Sequence, residues 1–128
     1  MIGMKRKILI VEDDTRIAMM LFIRLKAAHY ETLVARNAVQ AMSLAKKDCP
    51  HLIVLDISMP GGNGFLVAEW LRGLTETADV PIIFMTASRK PGLREEAREY
   101  GAAAFLEKPF DANKLLAAIQ EALGSPVG

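Results

Sequence analysis

The sequence predicts an α/β domain in which a parallel five-stranded sheet is covered by helices on both faces. Short apolar runs and helical segments alternate five times along the chain, which is typical of strands joined by right-handed helical crossovers. One run, Leu52–Leu55, is entered through Pro50 and has no polar residue, as expected of a strand buried on both faces. The Pro/Gly-rich stretch over residues 60–64 predicts a turn after it.

Bulk composition indicates one globular domain of ordinary polarity. The chain has 128 residues, of which 52% are hydrophobic and 24% are charged, close to the average for globular proteins. We expect one domain over residues 1–128, with a core of about residues 5–123 and a tail or the start of a linker at 124–128.

Charge and targeting signals limit the expected partners and location. The formal net charge of +1 predicts neither a nucleic-acid nor an anionic-membrane partner. No apolar run approaches the length of a membrane span, and the apolar stretch before Glu12 is too short for a signal peptide. The single cysteine, Cys49, is compatible with a reducing compartment. We therefore expect a cytoplasmic protein.

The individual elements follow from the hydrophobic pattern and from helix-start residues. The predicted strands are Ile8–Val11, Thr32–Ala35, Leu52–Leu55, Val80–Met85 and Ala103–Leu106. The predicted helices begin near Asp14 or Thr15, Asn37, Phe65, Pro91 and Asp111. In the first helix, which should end near Ala28, the core-facing positions at helical spacing are Ile17, Met20, Leu21, Leu25 and Ala28.

Polar residues follow four of the strands and should meet at one edge of the sheet. The carboxyl ends of parallel strands share an edge, where ligands bind in open α/β sheets. The residues that this rule brings together are Glu12, Asp13, Asp56, Thr86 and Lys108. Converging carboxylates repel one another, so a divalent cation with oxygen ligands, Mg²⁺, is expected beside Lys108. His29 and His51 are expected away from this edge and are not predicted ligands.

A carboxylate beside a cation and a lysine points to phosphoryl chemistry. No Ser–His–Asp arrangement is recognisable, so the candidate nucleophile is one of the carboxylates at this edge. Phosphoryl transfer depends mostly on positioning and on charge neutralisation. The predicted edge has both, and the Thr86 hydroxyl at a strand end can donate to a phosphoryl oxygen.

Four motifs in order give the chain a specific resemblance. They are Ile8–Asp14, Leu55–Pro60 with Gly64, Met85–Ala87 and Lys108–Phe110. Over about residues 5–123 the chain resembles the receiver domain of two-component response regulators, the family of the bacterial chemotaxis regulator. This resemblance implies a flavodoxin-like fold with strand order 2-1-3-4-5, and a cis peptide bond between Lys108 and Pro109.

The resemblance also implies a role for each motif residue. Asp56 is the implied phosphoacceptor, and Mg²⁺ (or Mn²⁺) would be held by the side chains of Asp13 and Asp56 and the backbone carbonyl of Ser58, with Glu12 acting through water. The residues implied to bind the phosphoryl group or to switch with it are Thr86, Ala87, Lys108 and Phe105. Phe105 lacks the hydroxyl of the usual tyrosine at its position, so its rotation would change packing only.

The resemblance further implies the partners of a phosphorylation-controlled signalling domain. The phosphoryl donor would be a sensor histidine kinase or a histidine phosphotransfer domain. Phosphorylation would remodel the face of the fourth helix, fifth strand and fifth helix for an unidentified effector. A homodimer is a further expected partner arrangement.

Three other classes of protein remain as alternatives. A haloacid-dehalogenase-type phosphatase also uses a strand-end Asp, but it requires an acid two residues later, where this chain has Ser58. A flavodoxin cradles phosphate in a Ser/Thr/Gly-rich first loop, whereas Glu12–Asp14 would repel phosphate. A receiver-like binding module that is never phosphorylated is the third alternative, and the complete acidic set argues against it.

Two apolar pairs or groups lie where charged residues are expected. The outward side of the first helix carries Ala18, Met19, Phe22 and Ile23, and the last three form a patch beside the predicted site. Met19, Phe22 and Ile23 are interpreted as a docking surface for a kinase's phosphohistidine domain or for a second copy. The alternatives are a slightly different helix rotation and a cover formed by another part of the chain. Leu66 and Trp70, one turn apart on the third helix, are interpreted either as a second exposed pair or, in preference, as core residues.

Overall fold

The computed structural model describes residues 5–59 and 63–124. Its elements are β1 (Lys7–Val11), α1 (Thr15–Ala27), β2 (Glu31–Ala35), α2 (Ala38–Asp48), β3 (Leu52–Asp56), α3 (Gly64–Arg72), β4 (Ile82–Thr86), α4 (Leu93–Glu99), β5 (Ala104–Glu107) and α5 (Ala112–Leu123). The strands are parallel, in the order β2-β1-β3-β4-β5. The predicted flavodoxin-like fold class and strand order are confirmed. Residues 60–62 of the predicted turn, and 125–128 of the predicted tail, lie outside the described residues.

The strand ladders continue past the last strand residues toward the predicted site. Every residue of β3 and β4 is buried, as expected of central strands in a parallel sheet. The Glu12 N–H donates to the Ala35 carbonyl at 3.0 Å, and the Lys108 N–H donates to the Thr86 carbonyl at 2.7 Å. The backbone that carries Glu12 and Lys108 is therefore held by the sheet itself.

Side-chain oxygens cap the first turn of four helices. The caps are Asp14 for α1, Asn37 for α2, Asn63 for α3 and Asp111 for α5. Each accepts a backbone N–H that has no partner within its helix. The predicted caps Asp14, Asn37 and Asp111 are confirmed.

The sheet is packed on both faces by apolar side chains that alternate along its strands. One face, covered by α2, α3 and α4, contains Leu9, Val11, Ile53, Leu55, Ile82 and Phe84. The other face, covered by α1 and α5, contains Ile8, Ile10, Leu52, Val54, Ile83 and Met85. These two layers hold the strand ends, and with them the site, in fixed relative positions.

Helix α1 is rotated relative to the predicted core face. Ala18, which was expected on the outer side, is buried at 4% exposure, whereas Met20, which was expected in the core, is 43% exposed. The buried stripe is Ala18, Leu21 and Leu25, at the i, i+3, i+7 spacing of one helix face. The prediction for Met20 was wrong because α1 has apolar residues on two faces, and the pattern alone does not select between them.

Leu66 and Trp70 form the exposed pair, and the preferred interpretation of core packing was wrong. Leu66 is 41% exposed and Trp70 is 46% exposed. The buried face of α3 includes Val67, Ala68 and Leu71. These residues belong to the core on the sheet face that α2, α3 and α4 cover. Leu66 and Trp70 lie on the opposite side of this short helix, four residues apart.

Helix α4 begins later than predicted. Pro91 was expected in its first turn, but α4 starts at Leu93. Gly92 intervenes with φ of 88°, a left-handed conformation that glycine adopts easily, and no side chain caps the helix. Pro91 therefore belongs to the preceding turn.

Candidate functional site

Three carboxylates meet at the carboxyl-terminal edge of the sheet. Glu12 follows β1 and Asp56 is the last residue of β3, and both are buried, whereas Asp13 is half-buried. One oxygen from each of Glu12, Asp13 and Asp56 lies within 4.8 Å of the others. Asp56 meets Glu12 and Asp13, which lie 44 and 43 positions earlier in the sequence, because β1 and β3 are neighbours in the sheet.

Lys108 is the cation that faces this acidic cluster. Its Nζ lies 3.2 Å from Asp56 Oδ2 and donates to Glu12 Oε1 as well. Burial by itself lowers the pKa of Lys108, but the bonds to Glu12 and Asp56 outweigh burial and raise that pKa above its ordinary value. Lys108 therefore remains protonated beside the carboxylates.

Glu12 has an unusual protonation equilibrium for a carboxyl group. Burial raises the pKa of Glu12 to about 7, and the hydrogen bond and charge of Asp56 act in the same direction. Hydrogen bonds from Lys108 and from the backbone N–H of Asp14 lower the pKa but do not outweigh burial. Near neutral pH, and without a bound cation, the Glu12 carboxyl is therefore protonated in a fraction of the molecules.

Two hydroxyls and two backbone N–H groups complete the inner surface of the site. The Ser58 N–H donates to Asp56 Oδ1 at 3.0 Å, so that Asp56 is held from both carboxylate oxygens. The Ser58 and Thr86 hydroxyl oxygens are 2.9 Å apart, and the Ser88 N–H donates to Thr86 Oγ1 at 3.0 Å. Thr86 is buried at the end of β4, one residue beyond the partner of Asp56 in the ladder.

The remaining predicted residues lie around the rim of the site. Ala87 is exposed and lines a cavity of about 380 Å³ together with Met20 and Lys108. Phe105 is half-buried, pairs with Phe84 across the β4–β5 ladder, and has the Arg94 guanidinium 4.9 Å from its ring centroid. Neither residue touches the acidic cluster through a hydrogen bond or an ion pair in the described part of the chain.

The histidines lie at the opposite edge of the sheet. His51 precedes β3 and accepts the Lys7 N–H on Nδ1 at 2.8 Å, and His29 lies in the turn between α1 and β2. The peptide bond between Lys108 and Pro109 is cis, as the resemblance implied.

The acidic cluster has the donor chemistry of a site for a hard divalent cation. All of its ligand atoms are oxygens, and three carboxylates face one lysine, so the cluster has more negative than positive charge. Mg²⁺ accepts a few carboxylates and keeps several waters. The residues present therefore fit Mg²⁺.

Sequence reasoning missed one residue that contacts the connection between β1 and α1, residues 12–14. Arg36 follows β2 and its Nη2 donates to the Asp13 carbonyl at 3.1 Å and to Thr15 Oγ1 at 2.7 Å. The strand-end rule that selected residues after β1, β3, β4 and β5 applies equally to β2, so the same rule would have found Arg36.

The fold and the site define a doubly wound parallel domain with clustered carboxylates, a lysine and a hydroxyl at its strand ends. The family model of the response regulator receiver domain matches residues 8–120. The chain belongs to this family, whose members act in two-component signalling, typically bind Mg²⁺, and interact with histidine kinases and effectors.

Relatives and solved structures agree with this assignment. The chain is 35% identical over 122 residues to the polar-differentiation response regulator DivK of Brucella anthropi, covering 94% of this chain and 98% of the relative. The chemotaxis protein CheY4 of Vibrio cholerae superposes with a TM-score of 0.88 at 30% identity, covering 94% and 100% of the two chains. The HemR receiver domain of Leptospira biflexa gives 0.85 at 32% identity, covering 97% and 98%.

A helix that crosses a membrane must be long and strongly apolar. Within residues 5–59 and 63–124, no helix meets both conditions.

Proposed function

We propose that Asp56 accepts a phosphoryl group from the phosphohistidine of a sensor histidine kinase or a histidine phosphotransfer domain. The observation that carries this proposal is the position of the Asp56 carboxylate. It lies at the end of the buried strand β3, between Lys108 Nζ and the Ser58 N–H, and beside two further carboxylates. A nucleophile held on a rigid element is positioned for in-line attack.

The transfer moves one phosphoryl group between two side chains. An Asp56 carboxylate oxygen forms a bond to phosphorus while the bond from phosphorus to the donor's imidazole nitrogen breaks, and the imidazole keeps that electron pair. The Lys108 ammonium and the Thr86 hydroxyl are the groups that we assign to the phosphoryl oxygens. Thr86 must release Ser58 to do so.

The acidic cluster is the proposed metal site. Asp13 and Asp56 would hold Mg²⁺ through their side chains and Ser58 through its backbone carbonyl, with Glu12 acting through water. When bound, Mg²⁺ would neutralise charge on the carboxylates and on the incoming phosphoryl oxygens. Charge neutralisation of this kind supports phosphoryl transfer to an anionic nucleophile.

Phosphorylation is proposed to switch the face formed by α4, β5 and α5. The modification adds about −1.5 to −2 charges, which attract the Thr86 hydroxyl and Lys108. The movement of Thr86 would make room for Phe105, which is half-buried on the neighbouring strand. Rotation of Phe105 would then displace Arg94 from its ring and change the surface offered to an effector or to a second copy.

Membership of the receiver family decides against two of the alternative classes. The phosphatase alternative lacks its second acid, because Ser58 occupies that position. The Ser58 hydroxyl is hydrogen-bonded to that of Thr86. The flavodoxin alternative lacks a phosphate-binding first loop, since Glu12, Asp13 and Asp14 occupy it. The receiver-like module that is never phosphorylated is the alternative that the experiment below tests.

Intact-mass measurement after incubation with acetyl phosphate and Mg²⁺ tests the proposal. We expect the mass of one phosphoryl group to be added to the wild-type chain and none to be added to Asp56→Asn. Asp79→Asn is the matched control, because Asp79 is an exposed residue that precedes β4, at the opposite edge of the sheet. It should be labelled like the wild type. Labelling that survives Asp56→Asn, or no labelling at all, would refute the assignment.

The outer face of α1 is the proposed kinase docking surface. Met19 and Ile23 are 55% and 56% exposed, Met20 is exposed beside them, and Phe22 is half-buried under the Lys26 ammonium. The cavity that Met20 shares with Lys108 connects this apolar surface to the site. A phosphohistidine-bearing domain seated on α1 would thus bring its imidazole toward Asp56.

A further inference from the structure

We propose that Arg36 is a positioning residue that sets the affinity of the acidic cluster for Mg²⁺. It does so by holding the connection between β1 and α1, residues 12–14, which we call the Asp13 loop. This inference rests on the proposed function, because it assigns Asp13 to the metal. Arg36 belongs to none of the receiver motifs noted in the sequence. It lies after β2, at the same edge of the sheet as the acidic cluster.

The guanidinium of Arg36 bridges two residues of the β1–α1 connection. Its Nη2 donates to the Asp13 carbonyl at 3.1 Å and to Thr15 Oγ1 at 2.7 Å. These two acceptors lie on either side of Asp14, whose side chain caps α1. Arg36 thus connects the metal-binding residue to the first turn of α1.

The backbone of Arg36 is itself held in place. Ala35, which precedes it, is buried and pairs with Val11 in the β1–β2 ladder. The Arg36 N–H donates to Gln40 Oε1 at 2.7 Å, and the Gln40 N–H donates to the Asn37 cap at 2.8 Å. The guanidinium therefore extends from a backbone that is fixed on both sides.

The Asp13 loop needs such an anchor because three carboxylates follow one another in it. Glu12 is held by Lys108 and by the Ala35 carbonyl, and Asp14 is held by the N-terminus of α1. Asp13 lies between two like charges that are each fixed elsewhere. The bond from Arg36 to its carbonyl fixes the peptide from which the Asp13 carboxylate projects.

Loss of this contact should weaken metal binding. Residues that orient metal ligands from outside the coordination shell commonly contribute 10- to 100-fold to affinity. Arg36 is exposed and acts through the backbone, so we expect about a tenfold loss, the lower end of that range. An effect of charge alone has the opposite sign, because removing a cation near the cluster would tighten Mg²⁺ binding.

Titration calorimetry with MgCl₂ separates these two effects. Arg36→Gln should bind Mg²⁺ about tenfold more weakly. Arg36→Lys should also bind more weakly, because the shorter lysine side chain does not bring its nitrogen to the position of Arg36 Nη2, which donates both bonds. Thr15→Val keeps the charge but removes one acceptor, so a smaller loss is expected. Arg24→Gln is the matched control: it removes one positive charge from the last turn of α1 and a bond to Asn113, leaves the bonds of Arg36 intact, and should bind like the wild type.

A second measurement distinguishes positioning from general damage to the fold. The Mg²⁺ concentration that half-saturates labelling by acetyl phosphate should rise about tenfold in Arg36→Gln, while the rate at saturating Mg²⁺ stays at the wild-type value. Unchanged or tighter Mg²⁺ binding in Arg36→Gln and Arg36→Lys, with normal labelling, would overturn this inference alone. A wild-type chain that neither binds Mg²⁺ nor is labelled would overturn the proposed function and this inference together.

Discussion

Glu12 is the residue at which the environment changes side-chain chemistry most. Its carboxyl group is buried at the end of β1, pairs with Lys108, and accepts the N–H of Asp14. Burial nevertheless dominates and raises its pKa to about 7. A longer side chain than aspartate thus reaches Lys108 while remaining next to Asp56.

The raised pKa of Glu12 predicts a pH-dependent stability for the metal-free protein. The folded protein binds this proton more tightly than the unfolded chain, whose carboxyl has an ordinary value of 4.5. The free energy of unfolding should therefore fall as pH rises from about 4.5 to about 7, by less than about 1.4 kcal/mol per pH unit, the limit for one proton.

Urea unfolding at several pH values, in the presence of a chelator, measures this dependence. Glu12→Gln removes the titrating group and should give a flatter profile between pH 4.5 and 7. Glu31→Gln serves as the control, because Glu31 is an exposed residue paired with Lys7 at the other edge of the sheet, and it should keep the wild-type slope. Equal slopes in wild type and Glu12→Gln would contradict the assignment.

At the scale of elements, the start of α3 is pressed against the end of β3. Gly64 is the first residue of α3, and its N–H donates to the Ile57 carbonyl at 3.1 Å. A Cβ on Gly64 would lie 2.6 Å from Ile57 Cα and 2.7 Å from the Asp56 carbonyl oxygen. The close approach of helix and strand therefore requires glycine at this position.

Gly64→Ala should destabilise the protein and disturb the site. Forcing a methyl group into this contact costs about 1–3 kcal/mol, since both neighbours are backbone atoms. Gly73→Ala is the control, because a Cβ there meets its nearest neighbour at 3.4 Å and the backbone is already helical. Urea unfolding should show the loss for Gly64→Ala and little change for Gly73→Ala. Equal stability of the two variants would contradict the close packing of α3 on β3.

At the scale of the whole molecule, phosphoryl entry and signal output are assigned to two separate surfaces. Helix α1 lies beside α5 on one face and presents exposed Met19, Met20 and Ile23 next to the acidic edge. At the β5 end of the sheet, the Arg94 guanidinium of α4 lies over the ring of Phe105. Phosphoryl entry and signal output are thus assigned to different surfaces that share the residues at the strand ends.

The docking surface can be tested independently of phosphorylation chemistry. Ile23→Glu should slow transfer from a phosphorylated histidine kinase about fivefold or more, the effect of losing an interface residue worth about 1 kcal/mol. Labelling by acetyl phosphate should be unchanged, because that donor needs no docking. Val39→Glu is the control: Val39 is 81% exposed on α2, and the same change there should leave both reactions at the wild-type rate. A similar slowing of both reactions by Ile23→Glu would contradict docking on α1.

The sequence by itself determined the fold and which strand ends carry acidic residues. Apolar runs such as Leu52–Leu55 and caps such as Asp111 are local signals, and local signals suffice for strands buried on both faces. The parallel order of the strands then brings Glu12, Asp56 and Lys108 to one edge without any knowledge of side-chain contacts.

Only the tertiary structure decided which side of a helix is buried and which groups hold the site. Met20 and Ala18 exchanged their expected places because α1 is apolar on two faces, and only packing against β1 and β2 selects one. The bonds from Arg36 to Asp13 and between Ser58 and Thr86 join residues far apart in the sequence. Their geometry depends on rotamers and distances that exist only once the sheet has formed, so no periodicity in the chain could reveal them.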